Sequence, residues 1–295
     1  MNVKKILKVV TKNMDDETYL KLVFRIVMKQ KLHLDDPKTL NEKIQWLKLH
    51  NRDEMLSTYV DKYKVKKVVS DIIGDEYIIP TLGVWEDFDD IDFSTLPNQF
   101  VLKCNHDSHS VVICKDKDKF NYKEAKEKLN KSLKNNYFWH GREWAYKNVK
   151  PLILAEQYMT DDDQAEELTD YKFYCFKEYV DSVMVCCERE TGNPQFYFFD
   201  TKWNFKRDYN KNKQEAPLEL INNKPFNFEK MCDLASKLSS ATGAPFVRVD
   251  FYNINGKPYF GELTFTPRNG LKYDISPEID LKFGNMTDIS NIWKP

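Results

Sequence analysis

The chain has 295 residues, 41% apolar, 14% aromatic and 31% charged, a composition that excludes a disordered polymer and gives a core large enough to need no disulfide or metal staple. The 45 Lys and Arg nearly cancel the 46 Asp and Glu, leaving a net charge of −1, so a uniformly basic nucleic-acid binder is excluded. No apolar run approaches the roughly 20 residues that span a bilayer, and the apolar stretch at the amino terminus is too short for a secretory signal.

The first 50 residues read as helical. Thr39 and Glu42 have the spacing of a capping box, opening a helix through Ile44, Trp46 and Leu47. A second helical pattern runs from Met55 to Ile73 and stops at Gly74, a helix C-cap. Residues 1–70 hold 16 Lys and Arg against 9 Asp and Glu, an excess of +7 (16 − 9). That excess suits a solvated helical face or a surface for an anionic partner, such as an acidic glycan or a membrane interface. After Pro80 the texture turns to strands. Phe100 to Cys104 and Val111 to Cys114 flank a polar loop, residues 105–110, and read as a hairpin. A helix follows from Asn121 as N-cap, with Glu124 three residues on, to about Asn136. Residues 137–150 are aromatic and irregular. Strands are predicted at 152–159, 171–180, 183–188 and 195–200. An amphipathic helix is predicted over 226–240, carrying Phe228, Met231, Leu234, Ala235 and Leu238 at helical spacing. The last feature is a long hairpin, 246–254 and 257–265, turned at Asn255-Gly256. With no internal repeat, the chain reads as a mixed α+β protein. Its six cysteines form no Cys-x-x-Cys pair, so they read as reduced thiols rather than a zinc or redox site.

The final hairpin carries the most chemistry. Side chains alternate along a strand, so Arg248 and Asp250 share one face, and Glu262 and Thr264 share a face of the next strand. If the Asn-Gly turn sets the pairing, Asp250 and Glu262 lie on the same side of adjacent strands. Two carboxylates there repel unless a cation lies between them, and hard oxygen ligands on rigid strands suit Mg²⁺. The competing reading is a hairpin whose wet face carries salt-bridged polar residues.

Arg248-x-Asp250, Glu262-x-Thr264 and the following Thr266-Pro267-Arg268-Asn269-Gly270 resemble the metal-binding end of an ATP-grasp ligase. Asp61-Lys62 before a helix and Ile79-Pro80 resemble the start of its nucleotide-binding lobe. Val101-Leu102-Lys103 with its serine-containing loop is similar to the strand and flexible loop that cover the triphosphate, and residues 153–159 are similar to the hinge that grips adenine. More narrowly, residues 40–46, 103–108, Arg142-Glu143-Trp144 and Asp170-Tyr171-Lys172-Phe173 resemble the TupA-like ATP-grasp branch. That branch is named for teichuronopeptide synthesis and is common in cell-surface polysaccharide gene clusters.

The resemblance implies an ATP-grasp fold of two α+β lobes with antiparallel sheets clasping ATP, behind a helical N-terminal extension. The implied divisions are the extension at 1–54, the opening of the N-terminal lobe at 55–98, a nucleotide-binding subdomain at 99–180 and a metal and catalytic subdomain at 181–295. Lys62 and Lys103 would contact ATP phosphates, and the hydroxyls of Ser108 and Ser110 would donate to them. Glu156, with the backbone from Gln157 to Met159, would read the adenine edge; Asp170 would reach the ribose and Lys172 would add a phosphate contact. Asp250 and Glu262 would hold Mg²⁺, with Thr264 standing where the family usually carries an Asn ligand. Arg248 would stabilise the tetrahedral intermediate, and the turn at Arg268 and Asn269 would steady substrate or oxyanion. The implied reaction joins a carboxylate, free or glycan-linked, to an amine through an acyl phosphate, on the cytoplasmic side where ATP is, with the basic N-terminal region facing a membrane or an anionic glycan.

Three features stay outside that set. The loop at 105–110 holds His109 where glycine would ease the approach to phosphate; His106 and His109 read as an acid, a base or a phosphate donor, or as incidental. Residues 137–147 read as a lid over the acceptor or as a surface loop anchored by aromatics. Asp161, Asp162 and Asp163 suit a solvated loop or the metal-bound sugar nucleotide of a glycosyltransferase. That glycosyltransferase, and a phosphotransferase on the ATP-grasp scaffold, are the rival functions.

Overall fold

The computed structural model describes residues 13–160, 168–187, 194–272 and 274–292. The start of the basic N-terminal region, residues 1–12, and the Asp161–Asp163 tract fall outside these residues.

Local signals in the sequence shape the first helices. Helix α1 (Asp16–Met28) is capped by Asp15, which accepts from the Thr18 amide. Helix α2 (Leu40–His50) begins with the expected capping box between Thr39 and Glu42. The predicted helix from Met55 to Ile73 is two helices, α3 (Met55–Val60) and α4 (Lys64–Ile73), because Asp61 leaves the helical region at φ −75°, ψ 107°. Its carboxylate then accepts from the amides of Tyr63 and Lys64, at 2.9 and 3.2 Å. Helix α4 ends at Gly74 as predicted.

Two antiparallel sheets follow. The first has strands β1 (Thr81–Trp85), β2 (Phe100–Cys104), β3 (Val112–Cys114) and β4 (Ile153–Gln157) in the order β1-β4-β2-β3. Between β3 and β4 lie helices α5 (Tyr122–Leu133) and α6 (Phe138–Gly141). Ala125 and Leu129 of α5 pack on Phe100, Leu102, Ile153 and Ala155. The second sheet has β5 (Asp170–Phe176), β6 (Tyr179–Cys187), β7 (Gln195–Asp200), β8 (Val247–Ile254) and β9 (Lys257–Thr264), ordered β7-β6-β5-β8-β9. After β7 come helices α7 (Leu218–Asn222) and α8 (Phe228–Thr242), and the last helix is α9 (Pro277–Met286).

Period-two alternation sorts the second sheet's residues onto two faces. Phe173, Val247, Val249 and Phe251 pack against Met231, Leu234, Ala235 and Leu238 of α8. On the other face, Tyr174, Phe176 and Phe246 form a core with Phe283 of α9 and with Leu40 and Ile44 of α2. Helix α2 is thereby built into the molecule. The Asn41 side chain donates to Asp280 Oδ2 at 2.8 Å, and Lys43 Nζ reaches the carbonyls of Gly284 and Thr287 at 2.8 and 2.7 Å.

The turn predicted between residues 180 and 183 lies instead at Lys177-Glu178, between β5 and β6, with Lys177 at φ 54°. A lysine in the left-handed region leaves no sequence mark of the kind glycine gives. Strand 152–159 shortens to β4, and the predicted strand end at Glu188 falls outside the described residues. The six cysteines are free thiols, four of them buried.

Candidate active site

The functional hairpin is built by two backbone devices. Asn255 and Gly256, at φ 51° and 72°, form the two-residue turn that pairs Ile254 with Lys257. Carried on without interruption, that register would set Asp250 opposite Gly261, and Glu262 would share the face of Val249, towards α8. It does not carry on: the register shifts between Asp250 and Phe251, so that Asp250 pairs with Glu262 and Arg248 with Thr264. Gly261 is the extra residue of a β-bulge. The bulge, not the turn alone, brings Glu262 and Thr264 onto the face of Arg248 and Asp250.

That face forms one wall of a cleft of about 680 Å³ between the two sheets. Arg248 is its hub. Nε and Nη2 grip the Asp250 carboxylate at 2.7 and 2.6 Å, and Nη2 also reaches Glu262 Oε1 and Thr264 Oγ1, both at 3.0 Å. Burial opposes the charge on Arg248, but Asp250 and Glu262 outweigh it and raise its pKa. Burial also opposes the charge on Glu262; Arg248, Lys62 and Lys172 win, holding this carboxyl down at about 2. Glu262 is therefore an anion, and its side chain is 38% exposed. Because arginine forks and lysine does not, Arg248→Lys is expected to slow conversion of an acyl phosphate to amide about a hundredfold, the usual scale for losing one preorganised donor. Single-turnover kinetics check this, and an unchanged rate would remove Arg248 from the machinery.

Across the cleft the first sheet contributes Lys103 and Glu156. Glu156 is buried between two ammonium groups, Lys66 at 2.6 Å and Lys103 in a closer contact. Burial would raise the Glu156 carboxyl, yet Lys103 and Lys66 pull it below its ordinary value. Lys66, which the sequence reading passed over, also donates to the Ile79 carbonyl at 2.7 Å and to Thr81 Oγ1 at 2.9 Å. Its place four residues after Lys62, one helical turn on, was the available signal. Lys62 donates to the Asp107 carbonyl, and burial lowers its pKa. An apolar stretch of the same cleft is lined by Ile79, Val101, Ile113, Met159 and Leu168, beside Gln157, a surface suited to a flat heterocycle.

Of the residues singled out from the sequence, the cleft gathers Lys62, Lys103, Ser108, Glu156, Gln157, Met159, Asp170, Lys172, Arg248, Asp250, Glu262 and Arg268. Ser110, Thr264 and Asn269 are not among its lining residues. Ser110 latches the loop, accepting from the Cys104 amide at 2.8 Å and donating to Asp107 Oδ1 at 2.5 Å. Thr264 donates to Glu262 Oε1 at 3.0 Å while accepting from Arg248, so it fixes the orientation of both. Asn269 has φ 60°, and its carbonyl accepts from Gln45 Nε2 and Lys48 Nζ, each at 2.7 Å.

His106 is buried against the end of α5, its Nε2 3.2 and 3.1 Å from the carbonyls of Ser132 and Asn135, a packing role. His109 is exposed. In residues 137–147, Arg142 is 2% exposed and lies over the rings of Trp139 and Tyr19, at 4.4 and 4.7 Å, tying this segment to α1.

Lys48 was also unforeseen. Its ammonium donates to the carbonyls of Gly141 and Asn269, at 2.9 and 2.7 Å, bolting that segment to the turn that carries Arg268. Burial pushes its pKa down from 10.5 to about 8 despite the pull of Glu143. Below pH 8 folded and unfolded chains both hold the proton, and the cost of burying the charge is fully present. From about 8 to 10.5 only the unfolded chain keeps it, so this group adds stability as pH rises. The Tm difference between wild type and Lys48→Met is expected to move in favour of wild type across that window; a flat difference would refute it.

The donor set fits a magnesium ion. Asp250 and Glu262 offer hard anionic oxygens on facing strands, and Mg²⁺ takes one or two carboxylates and fills its other positions with water and phosphate. Among the described residues no group of three or more His, Cys, Asp or Glu could hold a metal.

Two antiparallel sheets with a cleft that is apolar at one part and lined by lysines, an arginine and paired acids at another define a nucleotide-phosphate enzyme of the ATP-grasp class. Residues 42–287 match the TupA-like ATPgrasp family, and the chain belongs to that family. No curated protein matches it. Among solved structures, the ATP-grasp ligase PsnB complexed with minimal precursor is 10% identical, covering 72% of this chain and 54% of that one, with a TM-score of 0.39. D-alanine–D-alanine ligase from Bacillus anthracis complexed with ATP is 18% identical, covering 79% and 65%, with a TM-score of 0.42. D-cycloserine synthetase DcsG is 12% identical, covering 79% and 70%, with a TM-score of 0.42. The chain thus spans less than two thirds of the length of the first two.

Proposed function

We propose that this protein is an ATP- and Mg²⁺-dependent ligase that joins a carboxylate to an amine. The observation that carries the proposal is the pairing of Asp250 with Glu262, on the face that looks across the cleft to Lys62 and Lys103. A carboxylate oxygen of the acceptor attacks the γ-phosphorus, ADP leaves, and the acyl phosphate formed has a good leaving group. The amine nitrogen then attacks the acyl carbon and phosphate departs. Lys62 and Lys103 supply point charges for the phosphate oxygens, and Arg248 faces the developing oxyanion with a guanidinium already held rigid by Asp250. Asp250 and Glu262 would hold the magnesium, whose chemistry is to neutralise charge on the β- and γ-phosphates. Arg268 lines the same cleft and would steady the acceptor.

The family supports an acceptor from surface-polysaccharide synthesis, a uronic acid or an amino acid on a glycan precursor, and ATP as substrate supports a cytoplasmic site of action. No helix among the described residues is long and apolar enough to cross a membrane. The basic excess over residues 1–70 would face the membrane or an anionic glycan.

The test is mass spectrometry of products after mixing ATP and Mg²⁺ with panels of uronic acids and amines, alongside ADP release. An amide with one ADP per bond, formed only when acid and amine are both present, is the expected result. A stable phosphoester with no amide would make the protein a phosphotransferase, and turnover of a nucleotide sugar without ATP would make it a glycosyltransferase.

A further inference from the structure

The acid placed to carry the metal is already occupied by cations of the protein itself. Lys172 Nζ lies 2.6 Å from Asp250 Oδ2 and 2.5 Å from Asp170 Oδ2. Strand register sets Lys172 directly opposite Asp250, and all three residues are between 2% and 5% exposed. Arg248 holds the same carboxylate through both of its oxygens. Asp250 therefore accepts three short bonds from two cations, and Oδ2 takes two of them. The charges of Asp170 and Asp250 are balanced by those of Lys172 and Arg248, leaving Glu262 as the surplus anion of the group. Mg²⁺ gives up its water reluctantly. An ion taking Asp250 Oδ2 meets the Lys172 ammonium there, and a buried ammonium stripped of its partner is costly. A triphosphate changes that balance, since its oxygens offer Lys172 new anions in the same cleft.

We infer that Lys172 is an internal counter-ion that keeps the metal site closed until nucleotide arrives, so that the divalent ion enters with the triphosphate and not before it. The inference rests on the reading of the cleft as an Mg²⁺–ATP site. It assigns Lys172 a positioning role: the order of metal and nucleotide entry is set by a lysine on the neighbouring strand, without itself touching the metal.

The experiment titrates the protein with Mn²⁺ in place of Mg²⁺, following free Mn²⁺ by electron paramagnetic resonance, with and without the non-hydrolysable analogue AMPPNP. Wild type is expected to take up Mn²⁺ only when AMPPNP is present. Lys172→Gln is expected to bind Mn²⁺ without nucleotide at least tenfold more tightly than wild type, and Lys172→Gln with Asp250→Asn to lose that gain. Lys172→Arg, which keeps a cation there, should exclude the ion as wild type does. If Lys172→Gln is unstable, Mg²⁺ alone should raise its Tm by several degrees and leave that of wild type unmoved. Nucleotide-free wild type binding Mn²⁺ as tightly as Lys172→Gln overturns the inference, as does a Lys172→Gln variant that neither binds the ion nor is stabilised by it. Failure of wild type to bind AMPPNP at all would instead overturn the ATP reading, so the two failures are distinct.

Discussion

Glu262→Gln is expected to slow ADP formation about a thousandfold while moving Tm by no more than a few degrees. The amide keeps the shape of the side chain and an oxygen for the Thr264 hydroxyl, but loses the charge a divalent cation requires. Charge stabilisation by a bound metal is worth several kcal/mol, and about 4 kcal/mol corresponds to a thousandfold in rate. Stability is spared because the side chain is 38% exposed and Arg248 keeps its fork on Asp250. Asp250→Asn should lose as much activity, yet at a different structural cost. That carboxylate is buried between Arg248 and Lys172, and removing one partner of a buried ion pair costs about 3–5 kcal/mol. Steady-state ADP release and thermal melts separate the two variants. Glu262→Gln retaining a tenth of wild-type turnover would end the case for Glu262 as a metal-bearing group.

Inserting one alanine between Gly261 and Glu262 should do still more. With Gly261 kept as the bulge residue, the inserted alanine takes the place opposite Asp250, and each residue after it moves to the opposite face. Glu262 would turn towards α8 and the apolar cluster around Phe251 and Leu238, while Leu263 would turn into the cleft. Burying an ion there costs far more than the hairpin can supply, so activity should vanish and Tm should fall sharply. Gly261→Ala is the control. A Cβ at this position meets the Asp250 carbonyl oxygen at 3.2 Å, a tight contact but one that leaves the residue count intact, so most of the fold and some activity should persist. Activity in the insertion variant comparable to that of Gly261→Ala would show that the register past Gly261 does not set the face of Glu262.

The bulge marks where reading the sequence ran out. Alternation placed Arg248 with Asp250 and Glu262 with Thr264, and the Asn-Gly turn fixed the hairpin. The two clues together do not bring the acids onto one face, because strict pairing separates them; only the register observed around Gly261 does. A glycine inside a strand was the available hint. Signals confined to a few residues were legible: the Thr39 and Glu42 box, the stop at Gly74, the spacing of α8. Helix α9 was missed although Ser276 caps it and proline stands at its first turn, a recognised start pattern. Strand β1 was missed because its residues are exposed or half-buried throughout, so no alternation shows. The ties of Lys48, Gln45 and Glu143 were out of reach for another reason. Glu143 accepts from Thr266, 123 positions away, and no local pattern encodes such a contact.

The grip of α2 on the far end of the chain also has a consequence for synthesis. Asn41 bonds Asp280 across 239 positions, and Gln45 bonds the Gly270 carbonyl across 225. Leu40 and Ile44, 2% and 1% exposed in the finished protein, gain their cover from Phe246 and Phe283. At about 5–20 residues per second of translation, a ribosome takes roughly 10–50 s to deliver those partners after making α2. For that interval the nascent polypeptide carries an uncovered apolar stripe, and Gln45 and Lys48 have no turn at Asn269 and Gly270 to hold until residue 270 has emerged.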